Sequence, residues 1–516
     1  MTIAMRRWGL VLVLALVAAG AASPVAGAGS PALASSPGPS LPVPHPVISD
    51  YAQVSTSETP PSPSDCATKA SIPRRCFGPQ ALRAAYNLPP LYAAGKDGRG
   101  RTIAIIDSYG SDTIAHDLHV FDTAFSLPSM CGEEGVTCTS GMPQFSQLSL
   151  QGSPATKAPP PTSNGTGQED KSAWALEVSL DVEVAHAIAP GANILLVHTP
   201  TAETLGVQGF PQMMAAIKYV VDHHLADVVS MSLASAEDAF RSQQSLENLR
   251  YAFKAAAASG VTVLGASGDT GTANDRKSPV GQGGSTIPGP TVEWPASDPL
   301  VTGVGGTALC TSATETANRV VDNANPPAAC QDAAATGQAE IVWDEFSRGI
   351  ATGGGFSHFF ARPSYQSVLP AGSTQIPSSA RGVPDIAMQA SPRTGALVYI
   401  TLPPDGLGGM ACGDAPCSTG WYDIGGTSLA TPEWAGLIAI AAQIKGHGLG
   451  PINQPLYTLA SNPAAYADDF FDVTVGNNQV TTDIPGYDAT KGWDPATGLG
   501  TPNAANLLPD LAAATP

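Results

Sequence analysis

Short apolar runs alternate with helix-like stretches along the first half of the chain, and this alternation constrains the fold more than any other feature. The runs have the length and the Ile, Val and Leu content of strands buried on both faces; they are 101–107, 193–197, 227–232 and 261–266. Helical patterns lie at 172–189, 212–224 and 247–258. The alternation predicts an α/β fold with a mostly parallel central sheet and helices on both faces. The Gly-, Pro- and Ser-rich region 300–423 is interpreted as long surface excursions from the same core.

The segment Gly425–Pro432 carries the strongest candidate for a nucleophile, Ser428. Two glycines permit a sharp turn, and a helical pattern follows from Thr431 to Ile444. We therefore expect Ser428 at a helix N-terminus, where free N–H groups and the positive end of the dipole favour an oxyanion. A serine before a helix is usually only an N-cap, but the whole segment is similar to the nucleophile turn of subtilisin-type serine peptidases. No histidine loop of the subtilisin kind precedes it, so another group must supply the base.

Glu177 and Asp181 are the best candidates for that base, because a spacing of four residues places both carboxylates on one face of a helix. Glutamate, with a pKa of about 4.3, is a suitable general base in acid. Two carboxylates in contact cannot easily both ionise, so the pair should share a proton and titrate together. Such pairs are most often solvated, but apolar neighbours, among them Trp174, and the absence of Lys or Arg after Lys171 favour a catalytic role.

Asp269 lies in a second glycine-flanked segment, Gly265–Gly271. Alone it would be interpreted as a turn aspartate. As a neutral carboxylic acid it can donate a hydrogen bond to an oxyanion, whereas a carboxylate would repel that charge. Asp107, at the end of the first apolar run, is a candidate outer member of the same acidic network.

These three segments together resemble the sedolisin family, the serine-carboxyl peptidases, which share the subtilisin-like fold. The resemblance runs from about Phe77 to Pro509. It implies that Ser428 is the nucleophile and Glu177 the general base. It also implies that Asp181 is the supporting acid and that Asp269 is the oxyanion donor. It also implies peptide binding through backbone pairing at the residues Ser230, Met231, Ser232, Gly353, Gly354 and Gly355. Leu233 departs from the family, which often has tryptophan there.

The resemblance further implies one calcium ion near the C-terminus. Calcium prefers carboxylate and carbonyl oxygens, which a glycine-rich loop bracketed by aspartates supplies. The implied ligands are the side chains of Asp472 and Asp494 and the carbonyls of Val473, Thr490 and Gly492.

The N-terminus predicts export. Arg6 and Arg7 precede an apolar run that ends in a small-residue cleavage pattern, so residues 1–28 are expected to be a signal peptide rather than a membrane anchor. Residues 29–76 are rich in Pro, Ser and Ala and predict a flexible lead-in up to Asp65, with too little apolar sequence for the folded prodomain that sedolisins usually carry. The peptidase domain is expected at 77–512, in a secreted protein that acts on polypeptides and is monomeric.

Cysteine usage and charge fit that interpretation. The eight cysteines fall into neighbouring pairs, and export favours disulfides between them; the pairs are 66 with 76, 131 with 138, 310 with 330, and 412 with 417. A net charge of −19 disfavours nucleic acid and anionic membranes as partners. Two alternatives remain open: a His-dependent subtilisin-like peptidase that uses His186 with Asp107, and an inactive family member that acts as a secreted binding protein.

Overall fold

The computed structural model describes residues 45–46, 50–69, 73–150, 168–199, 209–240, 242–275, 286–314, 319–402, 411–412, 415–416 and 418–515. All of them belong to one unit that spans Leu41–Pro516. The predicted signal peptide, the first part of the lead-in and the side chains of Cys412 and Cys417 lie outside the described residues. No described helix is both long enough and apolar enough to cross a bilayer.

The described part of the chain forms short strands and helices in alternation. The helices are α1 Pro63–Lys69, α2 Pro79–Ala85, α3 Pro89–Ala93, α4 Ile114–Phe125, α5 Gln168–Ile188, α6 Gly209–Asp222, α7 Gln243–Glu247, α8 Tyr251–Ala258, α9 Gln331–Thr336, α10 Thr427–Lys445, α11 Asn453–Ala460, α12 Pro463–Asp469 and α13 Ala504–Ala514. The strands are β1 His45–Pro46, β2 Asp50–Ser55, β3 Thr102–Ser108, β4 Phe145–Ser149, β5 Asn193–Thr199, β6 Val228–Met231, β7 Leu233–Ala236, β8 Thr262–Ala266, β9 Glu293–Trp294, β10 Thr302–Leu309, β11 Glu340–Val342, β12 Asp344–Glu345, β13 Ile350–Ala351, β14 Gly355–Phe356, β15 Gly382–Val383, β16 Ile386–Gln389, β17 Ala396–Ile400, β18 Ala411–Cys412, β19 Ala415–Pro416, β20 Gly420–Gly425, β21 Phe470–Phe471 and β22 Thr501–Pro502.

The central sheet has the order β11-β10-β8-β6-β3-β5-β4, with β16 paired to β10. Its pairs are parallel except for β10 with β11. This confirms the predicted α/β fold and the four predicted strands. The region 300–423 differs from its prediction, because β10 and β16 are buried strands of this sheet. The glycines of β10 lie where neighbouring segments approach closely: a Cβ on Gly303 would come within 3.1 Å of the Ala296 carbonyl oxygen.

The two faces of the sheet build two parts of the core. Along β3, Ile103 and Ile105 pack with residues of α5 and α10, whereas Ala104 and Ile106 pack with residues of α6 and α8. Alternate side chains of a strand point to opposite faces, so a continuous apolar run satisfies both layers. Helix α10 approaches α5 closely at Gly436, where a Cβ would come within 2.7 Å of Ile188.

Regular structure in the lead-in begins closer to the N-terminus than predicted. Strand β2 adds antiparallel to β20 in the sheet β17-β20-β2, and α1 follows. The Pro- and Ser-rich composition concealed this strand, because its stability comes from a partner that lies about 370 residues further along the chain. A disulfide between Cys66 and Cys76 joins α1 to the body, and the predicted pairs 131–138 and 310–330 are also present.

Candidate active site

The predicted site residues gather at the carboxyl ends of the parallel strands, where open α/β sheets place their sites. Asp107 is near the end of β3, and Asp269 follows the end of β8. Glu177 and Asp181 lie on α5, which covers the same face of the sheet as α10. Ser428 is the second residue of α10. Tertiary structure therefore brings together residues that are up to 321 positions apart in the sequence.

The turn before Ser428 depends on Gly426, which takes a φ of +132° as the residue before α10. A side chain would strain the backbone there. The first N–H groups of α10 have no intrahelical partners, so the turn sets Ser428 at the positive end of the helix dipole. The predicted position at a helix N-terminus is confirmed.

Glu177 and Ser428 are both fully buried and adjacent. Burial raises the pKa of Glu177 well above its usual value, and the charges of Asp181 and Asp107 raise it further, while the neighbouring Ser428 hydroxyl opposes the rise. The two groups approach without the geometry of a formed hydrogen bond: Ser428 Oγ and both Glu177 carboxyl oxygens lack hydrogen-bond partners among the described residues. Such loose geometry between a nucleophile and its base is common before substrate binds.

Asp181 is held by a residue that sequence analysis had interpreted only as part of a substrate strand. Ser232 Oγ donates to Asp181 Oδ1 at 2.7 Å and also lies 3.3 Å from the Ser428 carbonyl oxygen. Burial and the charge of Asp107 raise the pKa of Asp181 well above its usual value, and the Ser232 bond lowers it. Burial raises the pKa of Asp107 to about 8. The three acids therefore form one buried cluster in which burial and mutual repulsion favour the protonated forms.

Asp269 is fixed to the residue before the candidate nucleophile. The backbone N–H and the hydroxyl of Thr427 both donate to Asp269 Oδ1, at 2.7 and 2.9 Å. The same hydroxyl accepts from the N–H of Gly268 at 3.1 Å. Asp269 is 5% exposed, so this carboxyl faces the start of α10 in a nearly dry setting where hydrogen bonds to charge are strong.

Glu293 is a buried acid of the site that sequence analysis missed. A Cβ on Gly268 would lie 2.5 Å from Glu293 Oε2, which places this carboxyl against the Asp269 segment. Burial, with the charge of Asp269, raises the pKa of Glu293 to about 8. Glu293 lies in β9, which pairs with β7, and no local sequence pattern predicts that pairing.

The two predicted substrate segments are placed differently. Ser230 and Met231 form ladder pairs within the central sheet. The Gly353 N–H donates to the Gly268 carbonyl at 2.7 Å, the Gly353 carbonyl accepts from Ser267 Oγ, and Gly355 pairs with Val383. Strand β7, which begins directly after Ser232, lies between β1 and β9 in a three-stranded antiparallel sheet beside the site.

His186 lies on α5 but away from Ser428. It follows Glu177 by nine residues, and at about 100° per residue this turns it to the opposite side of the helix. Its Nε2 contacts Asp122 Oδ2 at 3.1 Å and the Pro128 carbonyl at 2.9 Å. The geometry does not support a triad of Ser428, His186 and Asp107.

The C-terminal loops bring the implied calcium ligands together. Asp472 accepts from the N–H of Gly492 and from Tyr466 Oη, and Asp494 Oδ2 accepts from the N–H of Thr490 at 3.2 Å. Burial raises the pKa of Asp472 and raises that of Asp494 to about 7. Within the described part of the chain, no hydrogen bond to the carbonyls of Val473, Thr490 or Gly492 is formed. Each carboxylate thus contacts the 490–492 segment, and carboxylate and free carbonyl oxygens are the donors that a hard, oxygen-binding cation prefers.

Fold and site together define a subtilisin-like α/β protein with a serine and a cluster of carboxyl groups. A model of the subtilase family matches residues 164–452. Kumamolisin from Bacillus sp. (strain MN-32) is 32% identical over 449 residues, which cover 86% of this chain and 65% of kumamolisin. Sedolisin from Pseudomonas sp. (strain 101) is 32% identical over 67% of this chain and 50% of its own length. Tripeptidyl-peptidase 1 from Homo sapiens is 28% identical over 67% of this chain and 53% of its own length.

A solved structure of Pseudomonas sedolisin, a serine-carboxyl proteinase complexed with pseudo-iodotyrostatin, superposes with a TM-score of 0.61 at 27% identity, covering 84% of this chain and 97% of that one. The chain therefore belongs to the subtilase family, on its sedolisin branch. It spans between 50% and 65% of the length of these three curated relatives.

Proposed function

We propose that the protein is a secreted serine-carboxyl peptidase that cleaves polypeptides in acid. The observation that carries this proposal is the buried contact between Ser428 and Glu177, with Asp181 behind Glu177 and Asp269 at the start of α10. Under this proposal residues 1–28 direct export, 29–76 form the lead-in, and 77–512 form the peptidase domain.

In the proposed reaction Ser428 Oγ attacks the peptide carbonyl while Glu177 accepts its proton. Glu177 then returns the proton to the leaving amine, and water releases the acyl group by the reverse path. Asp181 supports Glu177 by sharing a proton with it, because the two carboxyl groups titrate as a pair. Asp269, protonated and oriented by Thr427, donates to the oxyanion together with the Ser428 N–H.

Acid favours this arrangement for a physical reason. The buried cluster that includes Glu177, Asp181 and Asp107 resists full ionisation, as the raised pKa values indicate. A general base needs only one negative charge in this cluster, and the other members can remain protonated. As the pH rises, further ionisation adds repulsion inside the site and removes the proton that Asp269 must donate.

The C-terminal loops are proposed to hold one calcium ion through the Asp472 and Asp494 side chains and the carbonyls of Val473, Thr490 and Gly492. The ion would neutralise two neighbouring carboxylates and tie the loop to the strand end at β21. No catalytic step involves it.

Digestion of a mixed peptide library between about pH 3 and pH 8, followed by sequencing of product ends, tests the proposed function. We expect cleavage with an acid optimum, and loss of cleavage by at least about a thousandfold in Ser428→Ala. Unchanged acid cleavage by Ser428→Ala would exclude every serine-nucleophile mechanism. A neutral optimum would contradict the proposed acid mechanism, and the absence of cleavage at any pH would favour the binding-protein alternative.

A further inference from the structure

Strand β2 extends along β20 as far as the nucleophile turn. Strand β20 lies between β17 and β2, and it ends at Gly425, directly before the turn to Ser428. The antiparallel pairing places Asp50, the first residue of β2, opposite Gly425. The lead-in therefore contacts the backbone that orients the candidate nucleophile.

The nucleophile turn is packed tightly against residues 390–393. The Gly426 N–H donates to the Ala390 carbonyl at 2.7 Å. A Cβ on Gly425 would come within 2.4 Å of the same carbonyl oxygen and within 2.3 Å of the Pro392 nitrogen. Because the contact leaves no free space, a shift of residues 390–393 would also shift the turn, and with it the hydroxyl and the N–H of Ser428.

Two arginines connect this segment to Asp50. Arg74 Nη1 donates to the Pro392 carbonyl, and its Nη2 contacts Asp50 Oδ2 at 3.0 Å. Arg393, the last residue of the segment, has its Nη1 3.6 Å from the same Asp50 oxygen. A third arginine, Arg348, contacts Asp50 Oδ1 at 3.1 Å. The Asp50 carboxylate therefore bridges guanidinium groups that would otherwise repel one another.

The bridge is buried, so its charges are poorly screened by water. The side chains of Arg74, Arg393 and Asp50 are all less than a tenth exposed. Asp423 Oδ2 lies 3.4 Å from Arg74 Nη1, but burial raises the pKa of Asp423 to about 8, so this carboxyl is protonated in acid. Without the Asp50 charge, the arginines would carry an excess of buried positive charge, which is strongly unfavourable.

We propose that Asp50 is a positioning residue for the serine nucleophile and that β2 is a functional part of the active enzyme. Asp50 acts through Arg74 and Arg393, which fix residues 390–393 and thereby the nucleophile turn. This inference rests on the proposed function. It assigns a role in the reaction to a strand that precedes the expected start of the peptidase domain.

Steady-state kinetics of Asp50→Asn test the proposal, because this variant keeps the shape of the side chain but removes its charge. A displacement of reacting groups by about 1 Å can lower a rate about a hundredfold. We therefore expect kcat to fall about tenfold to a hundredfold, with little change in KM. The rate is calculated per folded molecule, with the folded fraction taken from the unfolding curve at the same pH, so that a loss of stability is not mistaken for a loss of rate.

Gln53→Ala is the matched control, because Gln53 anchors β2 away from the nucleophile turn. Its Nε2 donates to the carbonyls of Ser418 and Thr419 at 2.7 and 3.1 Å, and its Oε1 accepts from Ser418 Oγ. This variant should lower the Tm but leave kcat per folded molecule unchanged. If Asp50→Asn does not fold, its combination with Arg348→Gln removes one unbalanced guanidinium group, and the same fall in kcat is expected.

Hydrogen exchange in a Ser428→Ala background provides a measurement that does not need activity. Residues 425–432 should exchange faster in Asp50→Asn than in Gln53→Ala, because a looser 390–393 segment releases the Gly426 N–H. Unchanged kcat per folded molecule and equal exchange in the two variants would overturn the inference, while acid cleavage by the parent enzyme would leave the proposed function standing. Faster exchange in Asp50→Asn without cleavage by any form at any pH would instead refute the proposed function.

Discussion

Replacement of Asp107 by Asn isolates the energetic consequence of a buried acid behind the candidate catalytic pair. Burial raises the pKa of Asp107 from 3.8 to about 8, and neither of its carboxyl oxygens has a hydrogen-bond partner within the described ranges. The unfolded chain releases this proton near pH 4, whereas the folded chain keeps it until about pH 8. The stabilising effect of the bound proton is therefore complete below pH 4 and is lost as the pH rises toward 8.

The magnitude follows from the size of that shift. At about 1.36 kcal/mol per pH unit, the interval from 3.8 to pH 7 corresponds to a loss of about 4 kcal/mol of stability. Asp107 also repels Glu177 and Asp181, so protons redistribute within the cluster when the group is removed. We therefore expect Asp107→Asn to reduce the fall in unfolding free energy between pH 4 and pH 7 by about 2 to 4 kcal/mol.

Urea unfolding at pH 4 and pH 7 measures this difference, with Ser428→Ala in every variant to prevent self-digestion. Any cost of burying the Asn amide is the same at both pH values and cancels. Asp483→Asn is the matched control, because Asp483 is exposed. An identical fall in stability for the Asp107 variant and the control would refute the assignment of a retained proton to this cluster.

Three further results are expected. Ser232→Ala removes the 2.7 Å bond to Asp181, a charge-assisted contact worth about 1.5 to 3 kcal/mol, so the acid limb of the kcat/KM profile should move up by about one to two pH units; an unmoved profile would contradict this role. Thr427→Val keeps the side-chain shape but removes the hydroxyl bond to Asp269, so kcat should fall about tenfold or more with little change in KM, whereas a change in KM alone would indicate a substrate contact. Millimolar calcium should raise the Tm relative to chelator in the native chain and in Asp488→Asn but not in Asp494→Asn; equal shifts in all three proteins would exclude the proposed site.

The sequence predicted correctly those features that depend on residues a few positions apart. Glu177 and Asp181 share a helix face because helical geometry brings residues four apart together, and Gly426 precedes Ser428 because the turn needs a positive φ. Cysteines close in sequence paired as predicted at 66–76, 131–138 and 310–330. The resemblance to sedolisins rested on Glu177 with Asp181 and on the segments Gly265–Gly271 and Gly425–Pro432, and the relatives support it.

Predictions from composition were wrong where a strand is stabilised by segments that are distant in the sequence. The Pro- and Ser-rich lead-in gave no sign of β2, since that strand exists through β20 and the arginines around Asp50. The glycine-rich composition of region 300–423 concealed β10, whose glycines permit close approach of neighbouring segments in the core.

By itself, the sequence determined the alternation of strands and helices, the acidic pair, the nucleophile turn and the local disulfides, because each depends on residues a few positions apart. The contact of Ser428 with Glu177, the bridging role of Ser232, the proximity of Glu293 and the covering of β7 by β1 were decided only by the tertiary structure. Those contacts join residues about 25 to 250 positions apart, and no local pattern encodes which distant backbone edges and carboxyl groups the packed core brings together.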